Sequence, residues 1–396
     1  MEDNRIIEQR EGYDVIVAGG GVAGVAAAVA AARTGASVLL IEKTIQLGGL
    51  ATIGLINWYE PLCDGAGTQM ISGIPEELMR LAVRYGYDDL PDAWRGEKYT
   101  QKPREGRCAT NYSPFIFVMA LDEYLRDNNV KLRLDTWAVC PVMGRNTCLG
   151  LICESAIGRE FFPGKMVVDA TGDASVAHRA GVPTVEGDNF FTYVYHYTDR
   201  ELAAQFAGGG SMARYRRRKM IGSDLYGRGH PENMPLLRGV TGDQVTDFVL
   251  AGRKLLFDSI KNDDRRERDV VALSAMPQYR TIRRIVGEYV FDGGEEGVRF
   301  DDAVGSLGDF RKKDRHYQLP YRCLYNGGFP NILAAGRVIS ASGEGWDITR
   351  VIPVAALSGQ AAGAAAAMCA RSDISAGGLD VGKLQDELKF SGVLFV

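Results

Sequence analysis

The sequence predicts an α/β protein in which a nucleotide-type domain, built on a parallel sheet, is interrupted by a second α+β domain. Three observations carry this. A strand, a glycine turn, a helix and a second strand follow one another between Tyr13 and Ile41, the order of a βαβ unit. Apolar β runs return at Lys165–Ala170 and Ile332–Ala335, and a long Ala-rich helix follows the second. Between them, from about 186 to 319, the chain turns aromatic, then charged.

The elements follow in order. Tyr13–Ala18 is an apolar run that ends in glycines and reads as a buried strand. Val22–Thr34 is Ala-rich and reads as a helix closed by Gly35, and Ser37–Ile41 is a second buried strand. Residues 44–110 are rich in Gly, Pro, Tyr and Trp, with one helix at Pro75–Tyr85. Ser113 and Pro114 form an N-cap and first-turn proline for a helix to about Asp127. Val130–Val139 and Leu149–Ser155 read as strands, and a Gly-containing turn region separates the latter from Lys165–Ala170. Phe191, Tyr193, Tyr195 and Tyr197 alternate with polar residues, a strand pattern. Residues 200–290 read as mostly helical, and Arg214–Lys219 as a solvated helix face. Pro353–Ala370 is the closing helix.

Composition bounds the rest. A length of 396 residues suggests two or three domains, and 46% apolar with 24% charged residues excludes disorder as the main state. A net charge of −4 argues against broad phosphate-backbone binding. Seven cysteines without a C-x-x-C and four scattered histidines (178, 196, 230 and 316) give no metal site. The polar N-terminal stretch MEDNRIIEQREGYD does not read as a signal peptide, so a reducing cytoplasm is the expected location. Two uncharged windows, Val15–Ala32 and Val351–Ala370, approach spanning length. Their Ala and Gly content reads as buried strand and helix, and no membrane partner is expected.

The strongest motif is Gly19-Gly20-Gly21-Val22-Ala23-Gly24, a G-x-G-x-x-G that follows a strand and opens a helix. Glu42, at the end of the next strand, completes the dinucleotide-binding context. Gly19 permits the tight turn, Gly21 lets the backbone approach a pyrophosphate, and Gly24 allows close helix–strand packing. Val22 and Ala23 place free N–H groups at the helix N-terminus, where the dipole favours anions. Glu42, followed by Lys43, faces the ribose hydroxyls. Gly208–Gly210 lacks a preceding strand and reads as a loop, so a second nucleotide domain of the reductase type is not expected.

Gly48-Gly49-Leu50-Ala51-Thr52, the stretch Asp169–Asp173 and Ala335-Gly336-Arg337 resemble the FAD domain of glutathione-reductase-like flavoproteins, a Rossmann-type domain with a β meander. Arg280–Gly287, Pro320-Tyr321-Arg322, Thr349–Pro353 and Gly359–Gly363 resemble the FAD-dependent oxidoreductase family sometimes labelled xanthan-lyase-like. The resemblance covers most of 11–60, 110–185 and 270–370. It implies FAD as cofactor, with Gly48, Gly49 and Ala51 near the flavin and pyrophosphate. It also implies backbone pairing of Val139 with adenine and places Ala170 and Gly172 beside the adenosine. Gly336 and Arg337 would hold the ribityl–pyrophosphate region, and Arg350 and Val351 the pyrimidine edge. Two departures stand out: Thr281 where the family often has a glutamate, and Gly343 and Trp346 where it has histidines. Asp347 and Glu344 are the nearest carboxyl groups, and Tyr321 and Tyr59 the nearest phenols.

The resulting expectation is an FAD domain from 11–60, 106–185 and 320–380, with a substrate-binding cap from 61–105 and 186–319. The activity expected is hydride transfer between a small-molecule substrate carbon and flavin N5, with Arg280, Tyr321, Arg322, Asp347 and Glu344 as catalytic candidates. The Asn57–Tyr59 loop and strand 191–197 should line the same cavity. His196 is as much a wall residue as a base, His178 reads as structural, and Cys63 as a thiol that could approach the flavin. Substrate, direction, electron acceptor or donor, covalent or free flavin, and oligomeric state stay open. Two rival activities also stay open: fumarate-reductase-like reduction of an activated double bond, with Arg280, Arg322 or Arg350 as acid, and RNA modification or binding through Arg214–Lys219. The charge balance weighs against nucleic acid. An idle FAD-binding scaffold is a third rival.

Overall fold

A computed structural model describes residues 7–90, 94 and 106–396. Strand Tyr13–Ala18 lies between Val38–Ile41 and the C-terminal half of Gly158–Asp169, parallel to both, with Val15 opposite Val38 and Met166. Lys131–Arg133 extends the sheet on one side and Ile332–Ala334 on the other. Val15–Ala18 and Val38–Ile41 are fully enclosed. Burial on both faces explains why these strands read as unbroken apolar runs.

The twelve-residue strand Gly158–Asp169 serves two sheets. Its end joins the parallel sheet, and its beginning pairs antiparallel with Thr147–Ser155, which pairs in turn with Trp137–Gly144. This corrects two expectations. The single strand over 130–139 is two, Lys131–Arg133 and Trp137–Gly144, because each half belongs to a different sheet and Asp135, at φ 48°, turns the chain between them. The turn before Lys165 shrinks to Ala156-Ile157, since Gly158–Pro163 already pairs in the meander and Gly164 with Tyr13.

Helix Val22–Arg33 and the long C-terminal helix Ile352–Ser372, which a shorter last helix Val381–Phe390 follows, pack side by side on the sheet. Contact is possible only without side chains. A Cβ on Gly359 would run into the carbonyl oxygen of Ala23, and one on Gly363 into that of Ala27. The C-terminal helix is long and apolar enough to cross a membrane, yet Ile352–Ala370 is buried inside the protein throughout.

The second unit is a three-stranded antiparallel sheet with Thr192–Asp199 at its centre, between Arg217–Gly222 and Arg268–Leu273. The expectation of mostly helix over 200–290 is therefore corrected. Helices Arg200–Ala207 and Gly242–Ile260 are present, but Arg214–Lys219 runs from a short helix into an edge strand rather than forming a helix face. Pairing with the aromatic strand overrides local propensity there. Phe191, Tyr193, Tyr195, Phe248, Tyr279 and Ile282 form a separate small core. Packing divides the chain differently from the expected cap segments 61–105 and 186–319. Leu62, Ile74 and Leu78, like Phe291, Val304 and Leu319, belong to the larger core, which leaves 191–282 as the cap. Residues 91–93 and 95–105 of the first segment lie outside the described residues.

Because Gly363 meets a backbone oxygen that cannot yield, Gly363→Ala should destabilise the protein by about 1–3 kcal/mol. A urea denaturation midpoint equal to wild type would contradict the helix contact described here.

Candidate functional site

A cleft opens where the first βα turn, the turn after Asp169, the Gly336 turn and the start of the C-terminal helix meet. Gly19 has φ 102°, and a Cβ there would strike Ala170 backbone. Its N–H donates to the Ile41 carbonyl at 2.7 Å. A Cβ on Gly24 would strike the Gly19 carbonyl, so this glycine seats the helix against the turn. Gly21 differs. Its φ is an ordinary −65°, and nothing in the protein lies within 4 Å of the position its Cβ would take. The protein itself does not demand a glycine there; a ligand drawn against the backbone does. No side chain caps the helix, so the N–H groups of its first turn face the same space.

Glu42 lines the cleft and also builds it. Its two carboxylate oxygens accept the N–H groups of Gly20 (2.6 Å) and Thr44 (2.8 Å), which ties the glycine loop to the second strand. Spacing singled out Glu42 but did not show this bracing. Asp169, fully buried, accepts the N–H of Thr171 and of Ala177 and so shapes the Ala170–Gly172 turn; burial raises its pKa. Burial pushes Asp173 up too, but Lys43, Thr171, Ser175 and Arg337 outweigh it and hold its carboxyl low. Arg337 donates to the carbonyls of Gly172 and, at 2.7 Å, Tyr279. Burial pulls this guanidinium down to about 10. It therefore joins the nucleotide domain to the cap across the cleft wall.

Of the cofactor residues expected from sequence, Gly19, Gly21, Val22, Ala23, Glu42 and Lys43 line the cleft. So do Gly48, Gly49, Ala51, Ala170, Gly172, Gly336, Arg337 and Arg350. Gly24 acts from behind, and Val351 is the N-cap of the C-terminal helix rather than a lining residue. Val139 is displaced. A register shift between Ala138 and Cys140 makes it the bulged residue, and its carbonyl accepts Arg179 at 3.0 Å. Thr136, Trp137 and Ala138 instead line the adjoining recess beside Glu42 and Asp173. Cap residues Ala275, Met276 and Pro277 close the far end opposite Leu50 and Ile53. Nothing in their residue types marks them in the sequence.

The catalytic candidates divide. Arg350 lines the cleft and donates to Asp347 at 2.8 and 3.0 Å. Arg280 stands beside this pair, but neither it nor Asp347 is among the residues that line the cleft, a correction to the expected cavity wall. Burial, then the charge of Arg350, pulls its guanidinium down to about 10 against the opposing pull of Asp347 and Asp224. Among the described residues its side chain has no hydrogen bond or ion pair. Tyr321 and Arg322 do not reach the cleft, a correction to the sequence reading. The Tyr321 hydroxyl is buried against the Ala376 carbonyl (3.0 Å), and Arg322 pairs with Asp302 at 2.9 Å. Glu344 is exposed and pairs with Lys312 at 2.8 Å. Tyr59 is likewise a core residue, and Cys63 is buried in the same core.

His196 is fully buried on the central cap strand, with Nε2 3.1 Å from Asn57 Oδ1 and Nδ1 without a partner. Burial lowers its pKa to about 4, the Leu55 backbone opposes this, and Arg216 and Arg218 add to the depression. Strand 191–197 and the Asn57–Tyr59 loop thus meet, but outside the cleft. Asn57 and Trp58 line a separate recess with Arg214 and Arg216–Arg218.

A family model described as FAD dependent oxidoreductase matches residues 14–193 and 256–388. The matches stand for that broader family name, not for the xanthan-lyase-like label. Thioredoxin reductase of Bacillus subtilis (strain 168) is 27% identical over 165 residues, 41% of this chain and 48% of that protein. Thioredoxin reductase of Ureaplasma parvum serovar 3 is 31% identical over 90 residues, 23% of this chain and 29% of that protein. The chain therefore spans about half the length, or less, of these curated relatives. A geranylgeranyl bacteriochlorophyll reductase-like structure from Thermoplasma acidophilum aligns over 98% of this chain and 93% of its own, at 13% identity and a TM-score of 0.44.

Gly21→Leu should fold normally yet lose FAD, since its side chain enters the cleft and meets no protein atom at Cβ. Flavin absorbance per protein, beside an unchanged circular dichroism spectrum, checks this. His196 gives a pH prediction. Its imidazole titrates near 6.5 unfolded and about 4 folded. Between those values the unfolded state holds more protons, so stability falls as pH drops through that window, by at most about 1.4 kcal/mol per pH unit from this group. Denaturant titrations of His196→Asn should show a shallower decline over the same pH range; an identical decline rejects the assignment.

Proposed function

The chain belongs to the FAD-dependent oxidoreductase family, and from that premise we propose that it moves a hydride between a carbon of an anionic small molecule and N5 of its bound FAD. FAD is its cofactor, and the cleft residues fit it: the open side of Gly21, the uncapped helix start and Glu42 match the dinucleotide's pyrophosphate and ribose. When bound, FAD supplies a two-electron acceptor or donor at its ring. What the chain's own residues must do is hold the pyrophosphate, seat a substrate against the ring and exclude water.

The observation that carries the substrate class is Arg280. A partly buried guanidinium without an acceptor, beside a second arginine already satisfied by Asp347, is poised for an anionic group from outside the protein. Arg350 lines the cleft, and Asp347 positions it by accepting two of its N–H groups on one carboxylate oxygen. Ala275–Pro277 and Ile53 complete an apolar rim that would exclude water around the reacting carbon. The curated relatives are thioredoxin reductases, but this sequence has no C-x-x-C and none of its seven cysteines forms a disulfide. The proposal therefore routes no electrons through a disulfide.

One observation favours the opposite direction as a second reading. Arg280, pulled down to about 10, is a stronger acid than an ordinary guanidinium. That suits protonation of a carbanion when hydride is added to an activated double bond.

Anaerobic bleaching of the flavin by a panel of carboxylates, with their amides as neutral controls, tests the first reading. Fumarate with a reduced viologen dye tests the second. Carboxylates should react in preference to amides. Arg280→Gln should keep the flavin spectrum while slowing reduction on the order of 10²-fold. Arg322→Ala, far from the cleft, should leave the rate unchanged. Equal reactivity of acids and amides, or a wild-type rate in Arg280→Gln, defeats the anionic-substrate reading.

A further inference from the structure

The recess beside Asn57 shares no lining residue with the FAD cleft. One wall is the short antiparallel pair of Trp58–Tyr59 with Thr110–Asn111, together with Asn57 just before it. The other is the cap's edge strand and the turn before it, with Arg216 and Arg218 partly buried and Arg214 and Arg217 exposed at the rim. Elsewhere the arginines of this chain are commonly matched: Arg33 by Glu77, Arg228 by Asp224, Arg266 by Asp264 and Arg322 by Asp302. Among the described residues, these four guanidiniums have no hydrogen bond and no ion pair.

We propose that this recess binds a small polyanion, a ligand with two or more anionic oxygens such as a phosphate ester or a polycarboxylate. Two carboxylates lie nearby, and neither closes the site. Asp89 accepts the Asn111 amide at 2.6 Å, and Glu60 accepts the Trp58 indole N–H at 2.5 Å while acting on Arg218 from a distance. Four guanidiniums against two carboxylates leave a surplus of positive charge in a concave space of about 470 Å³. Independent of charge, the polar groups behind the arginines are incomplete. The Tyr87 hydroxyl is buried without a partner within the field of Arg216 and Asp89. The fully buried His196 ring, directly opposite Arg218 across the strand pair, keeps Nδ1 unpaired. Burial also works against the Arg218 charge, opposed by Tyr112 and Glu60, a cost that a bound anion offsets. The concavity and the chain's net charge of −4 favour a small ligand over a nucleic-acid strand, which needs an extended basic track.

Isothermal titration calorimetry of the FAD-loaded full chain, with citrate and with pyrophosphate at low salt, tests this. At least one probe should bind one-to-one with a Kd below about 1 mM. That affinity should fall on the order of tenfold or more in Arg216→Ala and Arg218→Ala. Their flavin content and denaturation midpoint report folding. Arg217→Ala, at the exposed rim, should weaken binding by a smaller factor and keeps the test decisive if a buried-arginine variant does not fold. Preference between the probes tells polycarboxylate from phosphate. Absence of heat with both probes overturns the proposal, as does equal affinity in wild type and Arg217→Ala with either buried-arginine variant. Binding of a single-stranded oligonucleotide in place of both probes overturns it in favour of nucleic acid. Flavin reduction is not the readout, so failure of the Arg280 reading leaves this result standing.

Discussion

The site depends on backbones meeting at contact distance around one helix. Val22–Arg33 is approached by the Gly19 carbonyl at Gly24, by the C-terminal helix at Gly359 and Gly363, and by Gly336, whose Cβ would lie 2.8 Å from that of Ala23. No side chain larger than the Ala23 methyl intervenes at these points. Close packing of this kind gives way abruptly rather than gradually, because interiors tolerate little added volume. The reward is positional. The helix start, with its unsatisfied N–H groups, is fixed relative to the second strand, the Asp169 turn and the Gly336 turn at once. Gly336 is itself held by the Ser358 hydroxyl at 2.9 Å.

That constraint explains which parts were legible in the sequence. The nucleotide half is specified by local signals: unbroken apolar strands, Ala-rich helices and glycines at positions of positive φ or backbone contact. Glu42 stood out by its spacing, although its hydrogen bonds to Gly20 and Thr44 belong to the folded loop. The cap is specified by pairing. Arg217–Gly222 carries Arg, Arg and Lys before Met and Ile, and becomes a strand because Thr192–Asp199 offers an aromatic partner. Tyr321 and Arg322 sat in a motif that resembled a site. What decided otherwise was Asp302, far in sequence but 2.9 Å away, and the carbonyl of Ala376. Met276 and Pro277 line the cleft with no chemical mark in their residue types.

Arginine chemistry organises the rest. Guanidiniums are costly to bury and forgiving once a planar acceptor arrives. Arg337 has its acceptors, two backbone carbonyls, and therefore acts as a strut between the domains. Arg350 has Asp347. Among the described residues Arg280 has none, and neither do the arginines of the Asn57 recess. In one chain the same side chain thus serves as strut, as paired wall and as open receptor. Burial and the acceptor count separate these roles; residue identity does not.

The two open arginine groups are joined by one loop. Ile53 lines the FAD cleft, and Asn57, four residues on, lines the recess. The cap grips the segment between them. Ala275 N–H and the Ser274 hydroxyl donate to the Ile53 carbonyl at 2.9 and 3.1 Å, and the Gln278 amide spans Gly54 and Val194. Leu55 adopts φ 61°, a conformation that such side chains rarely hold unless the surroundings impose it. The five-residue strap 53–57 connects the two sites. At the other end of the strap Asn57 meets His196 at 3.1 Å and donates its amide N–H to the Tyr112 carbonyl at 2.8 Å. The hydrogen bonds that fix Ile53 and Gly54 to the cap thus also fix the start of the strap that carries Asn57 into the arginine recess.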